Sequence, residues 1–72
     1  MSGRVIDVIR RYRQYRKVDF YDTTDPTRLV TVYSNEIGKV YVINFATKDI
    51  NEVKFGIDVI HRLMNDGFMP VL

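Results

Sequence analysis

A chain of 72 residues with a formal charge of +2, 28% charged and 46% hydrophobic, has the composition of one small folded domain. It holds no cysteine, so disulfides and thiolate metal sites are excluded, and no apolar run approaches the ~20 residues of a membrane-spanning helix. A domain of this size buries only about 60–65% of the surface its unfolded chain exposes, which leaves association with another chain as the open way of burying more.

Charge is unevenly placed. Arg4, Arg10, Arg11, Arg13, Arg16 and Lys17 stand against Asp7 alone, a local +5, whereas residues 18–72 carry five basic and eight acidic groups. Within the basic segment Val5, Val8, Ile9, Tyr12 and Tyr15 recur at helical spacing. That spacing predicts an amphipathic helix from about Arg4 to Arg16, with Ser2 or Gly3 as its cap. The opening Met-Ser-Gly-Arg-Val-Ile-Asp carries charge where a signal peptide needs an apolar segment, so a cytoplasmic setting is expected.

In residues 17–21, Val18 and Phe20 alternate with Lys17 and Asp19, which predicts a short strand at a sheet edge, where charged side chains discourage edge-to-edge pairing. Asp22 to Thr27 reads as a loop, because Asp and Thr bond their own backbone and Pro26 bars the preceding residue from helix.

Arg28 to Phe45 predicts a β-hairpin: two runs rich in Val, Ile, Thr and Tyr flank a polar stretch containing Gly38. A five-residue loop from Ser34 to Gly38 sets Val30 against Val42 and Val32 against Val40. The valines then share one face, and Leu29, Thr31, Tyr33, Tyr41, Ile43 and Phe45 share the other. Neither face is polar.

Asp49 with Glu52 three residues on predicts a capping box opening a second helix that runs to about Asn65. Gly67 suits the left-handed position after its end, and Pro70 prevents resumption. Ile50, Val53, Ile57, Ile60 and Met64 form a core stripe, and Phe55, Val59 and Leu63 form a second one displaced around the cylinder.

The expected architecture is therefore α+β, a single domain over residues 1–72. Its small antiparallel sheet has two to three strands (hairpin 28–45, edge strand 17–21), packed by an N-terminal and a C-terminal helix in the order α-β-β-β-α. In topology this order resembles the double-stranded RNA-binding domain, which also sets three antiparallel strands between two helices. That family grips phosphates with a lysine cluster at the start of its second helix. This chain has Asp49-Ile50-Asn51-Glu52-Val53-Lys54 there, so no phosphate-gripping residue carries over.

Candidate chemistry is sparse. His61 is the only histidine and falls beside the core stripe of a helix, which reads as a structural position. Asp19, Asp22 and Asp25 repeat at three-residue spacing, but the glycine and terminal glutamate of a calcium loop are missing and turn chemistry accounts for Asp22 and Asp25. The glycines stand alone, and no nucleophile–histidine arrangement can be assembled. These residues predict no enzyme, cofactor or metal. They predict a small regulatory protein that works by protein–protein contact, as an inhibitor, adaptor or regulatory subunit. As a class this is similar to small phage- or plasmid-encoded inhibitors. A homodimer is expected, with Tyr33, Tyr41, Ile43, Phe45, Phe55, Val59 and Leu63 as interface residues, because surplus apolar surface needs a cover. The alternative is a nucleic-acid-binding protein using the basic face of Arg4, Arg10, Arg11, Arg13 and Lys17, which suits phosphates or an acidic protein.

Overall fold

The computed structural model describes residues 4–71; Ser2 and Gly3, the expected cap, lie outside them. Its elements run α1 (Arg4–Tyr15), β1 (Lys17–Asp22), β2 (Asp25–Ser34), β3 (Val40–Asn44), β4 (Asp49–Val53), α2 (Gly56–Asn65) and β5 (Phe68–Pro70). The strands form one antiparallel sheet in the order β4-β3-β2-β1-β5.

This corrects the expected two-to-three-stranded sheet and the order α-β-β-β-α: the class stands, but the sheet has five strands. Two strands were hidden. Asp49 to Val53, expected as the first turns of the second helix, pairs instead with β3, Ile50 opposite Ile43 and Val53 opposite Val40. The reversal at 45–48 makes this possible. Asn44 Oδ1 accepts from the N–H groups of Ala46 (3.1 Å) and Thr47 (3.3 Å), and Lys48 takes a left-handed φ of 62°. The Asp49–Glu52 spacing is thus no capping box, and α2 begins only at Gly56, after an extended Phe55. The last strand, β5, follows Gly67, whose φ of 95° is the left-handed conformation expected there, and lies outside β1. So β1 is an inner strand from Asp19 to Asp22, and only its start, at Lys17 and Val18, is left on the edge.

The loop expected over 22–27 shrinks to Thr23–Thr24. Asp22 Oδ1 accepts from the Thr24 N–H (2.9 Å) and hydroxyl (2.7 Å), while Arg28 donates to Oδ2 at 3.3 Å. The Thr24 hydroxyl first, then its N–H and the Arg28 charge, hold the Asp22 carboxyl below its ordinary value of 3.8. A carboxylate lowered in the folded state stabilises the fold above its ordinary value and loses that contribution as pH falls through the lower, folded one. In denaturant titrations between about pH 5 and pH 2, stability should fall towards acid, and Asp22→Asn should flatten part of that slope.

The hairpin of β2 and β3 forms, with Val32 opposite Val42 and not Val40. The pairing has moved by two residues from the one expected, and a period of two keeps every side chain on its expected face. Asn35 Oδ1 closes the loop by accepting from the N–H groups of Ile37 (3.1 Å) and Lys39 (2.9 Å).

Val8, Tyr12, Val18, Phe20, Val32, Val40 and Ile60 form the buried core, joined by partly buried Ile57, Met64 and Phe68. Its strand members all share one sheet face, so both helices lie on that side. The molecule is a two-layer slab whose smallest extent is 17 Å. α1 and α2 meet where Tyr12 packs on Gly56; a Cβ there would come within 2.8 Å of the Tyr12 ring carbon Cζ.

Candidate protein-binding face of the sheet

The face turned away from the helices follows from strand register. From β4 to β1, Glu52, Tyr41, Tyr33 and Lys17 form one row, and Ile50, Ile43, Thr31 and Asp19 the next. Val71 extends the second row, its N–H donating to the Asp19 carbonyl at 2.8 Å. A third row holds Phe45, Leu29, Tyr21 and Met69, with the Phe45 N–H donating to the Leu29 carbonyl at 3.0 Å. An antiparallel sheet with one wet face normally alternates apolar-in and polar-out. Here the uncovered face is apolar too: Leu29 is 38% exposed, Phe45 54% and Ile50 66%.

Leu29, Tyr33, Ile43 and Phe45 wall a groove of about 410 Å³ on this face, with Thr31, Asp19 and Lys17 as its polar part. These polar groups satisfy one another. The Thr31 hydroxyl donates to Asp19 Oδ1 at 2.6 Å, and Lys17 Nζ lies 3.8 Å from Oδ2. Thr31 is buried although it faces away from the core, because its taller neighbours close over it.

The expected interface residues separate into two groups. Tyr33, Tyr41, Ile43 and Phe45 come together on the open face. Phe55, Val59 and Leu63 do not join them: Val59 and Leu63 lie half-buried against the core on the helix side, and Phe55 is exposed ahead of α2. The sequence places Leu29 on this face but not among the interface residues, and it leaves out Ile50 and Tyr21, Ile50 because it reads as part of a helix.

The basic residues also diverge. Arg10 and Arg13 flank a groove with Ile6 and Ile9, and Arg10 pairs with Asp7 at 3.6 Å. Arg11 lies 5.2 Å from the Tyr15 ring centroid, on a separate groove that Lys17 also lines. Lys17 therefore stands on the rim of the open face, away from Arg10 and Arg13. Arg4 heads α1, and its side chain is outside the described ones. His61 is exposed on α2. Among the described residues no group of three His, Cys, Asp or Glu side chains could hold a metal ion: Asp19 and Asp22 point to opposite faces of β1. No helix among them is long and apolar enough to cross a membrane.

No protein-family model matches this chain, and neither a curated protein nor a solved structure matches it significantly.

Proposed function

We propose that this chain is a small binding protein acting by protein–protein contact, as an inhibitor, adaptor or regulatory subunit, and that the open sheet face is its contact surface. One observation carries the reading: both faces of the sheet are apolar, and the helices cover one. Exposed contiguous apolar surface on a small protein marks an interaction site, and tyrosines and phenylalanine beside aliphatic side chains are the residues interfaces favour. Binding is favoured over catalysis because the polar groups of the groove are engaged with each other rather than converging on a free point.

Nucleic-acid binding is the second reading. It rests on the guanidinium groups of Arg11, Arg13 and Arg16, which no carboxylate of the described residues bridges. One comparison separates the two. Immobilised wild type, Phe45→Lys, and the double variant Arg11→Glu/Arg13→Glu are each used to capture proteins from the native host and to titrate duplex and single-stranded nucleic acid at two salt concentrations. Protein capture lost with Phe45→Lys and kept with the arginine variant is the expected result. Salt-sensitive nucleic-acid binding lost only with the arginine variant would replace it.

A further inference from the structure

We infer that the occupant of the open sheet face is a second copy of this chain, packed sheet against sheet about a twofold axis that runs parallel to the strands between β2 and β3. This rests on the reading of that face as a contact surface and adds to it the partner's identity. The argument starts from the placement of charge. Along the first row Glu52 stands on β4 and Lys17 on β1, with Tyr41 and Tyr33 between them. A rotation about an axis parallel to the strands inverts the order across the sheet and keeps the position along each strand. Glu52 of one copy then lies over Lys17 of the other, at both ends of the row, and Tyr33 lies over Tyr41.

The third row obeys the same operation, setting Leu29 over Phe45. Two-fold contacts must be self-complementary, and the first and third rows are: Glu52 and Lys17 fall at opposite ends of the first, and tyrosines, Leu29 and Phe45 meet at the centre. The second row sets Ile43 over Thr31 and Ile50 over Asp19, whose carboxylate Thr31 and Lys17 already engage. The face holds Lys17, Asp19 and Glu52 as its charged groups, with Lys17 and Asp19 already adjacent, so it carries no strong field of one sign that would select an oppositely charged partner.

Size agrees. With the axis between β2 and β3, β1 to β4 overlap their counterparts and β5 lies outside, so four strands at ~4.8 Å and about six residues at ~3.3 Å make a shared face of roughly 19 by 20 Å. Two copies cover roughly 800 Å² in projection, and interdigitating side chains bring the accessible area buried to the order of the ~1,000 Å² of a specific interface. Two sheets related in this way keep their strands nearly aligned, within the ~30° at which sheets stack ~10 Å apart. The product is a four-layer sandwich with helices outermost.

Sedimentation of the full chain at micromolar concentrations tests the inference, with circular dichroism confirming that each variant folds. Wild type is expected to be a dimer and Phe45→Lys a monomer; the Phe45 side chain is more than half exposed, so its loss leaves the core intact. Glu52→Lys and Lys17→Glu should each weaken the dimer about tenfold, and the double variant Glu52→Lys/Lys17→Glu should return to within about threefold of wild type. Failure of the double reversal to restore the dimer overturns the inference. So does a dimer indifferent to Phe45→Lys. A wild type that stays monomeric overturns it as well. In that case protein capture abolished by Phe45→Lys would leave the contact-surface reading standing, and capture unchanged by that variant would remove both.

Discussion

Phe20→Ala is expected to leave much of the chain unfolded, whereas Phe45→Ala, the same change on the opposite face of the same sheet, is expected to leave the isolated fold nearly as stable as wild type. Phe20 is fully buried on β1, opposite Val30 and Pro70, and packs into the cluster of Val8, Tyr12, Val32 and Ile60. Truncating a buried phenylalanine costs about 3–5 kcal/mol in lost burial and residual cavity. A domain of this length has a total stability of about 4–11 kcal/mol, so the loss takes a large share of it. Phe45 is 54% exposed, and a substitution there falls within about ±0.5 kcal/mol when measured on the dilute, unassociated chain. Urea titrations of the two variants side by side provide the check. Equal losses would mean that both faces are covered within one chain, against the two-layer arrangement.

The second large effect is expected at Gly56. Replacing glycine by alanine within a helix ordinarily stabilises it by about 0.5–1 kcal/mol. Gly56→Ala should instead destabilise by about 1–3 kcal/mol, because the added Cβ would come within 2.8 Å of Cζ and 3.2 Å of Cε2 of Tyr12. Tyr12 is 8% exposed and enclosed by the core, so its ring cannot simply swing away. In a Tyr12→Leu background the same substitution should cost far less, and a double-mutant cycle should return a coupling of about 0.5–3 kcal/mol. Additive effects would show that the helices do not meet at this pair.

The elements that were legible in the sequence are those with a single dominant period. α1 was readable because Val5, Val8, Ile9 and Tyr12 fall on one stripe, and the observed helix ends one residue short of the expected Arg16, which takes a left-handed φ of 59° to turn straight into β1. The hairpin faces were readable for the same reason, and they survived an error in register because a slip of two residues preserves sidedness. β4 was not readable. Ile50, Val53 and Ile57 are spaced as on a helix, yet Ile50 and Val53 are three apart on a strand and serve opposite faces, while Ile57 belongs to α2. A three-residue strand ending in Pro70 offers almost no periodic signal at all; β5 exists because Gly67 turns the chain back alongside β1.

The same misassignment obscured the candidate site. With residues 49–53 as helix, the hairpin's aromatic face lacks only a cover, and the Phe55–Val59–Leu63 stripe is a second apolar patch. The strand assignment widens the hairpin face to five strands by adding Ile50, Glu52, Tyr21, Met69 and Val71, and it folds Val59 and Leu63 towards the core. The divergence of Arg10 and Arg13 from Lys17 had no sequence signal, because the tight junction at Arg16, not helical spacing, decides which way Lys17 turns.

The strand order also dictates how the sheet can assemble. β1, β2, β3 and β4 each lie beside their neighbour in the chain, joined by short turns, so those pairings close small loops and can zip one after another. The β1–β5 pairing is of another kind: it joins Phe20 to Pro70 and closes a loop that contains β2, β3, β4 and α2. Its loop-closure entropy is larger, and only three residue pairs offset it, so this edge is the last to close and the first to open. Deleting the C-terminal strand should therefore loosen β1 and the underside of α2 while the β2–β3–β4 meander keeps its pairing.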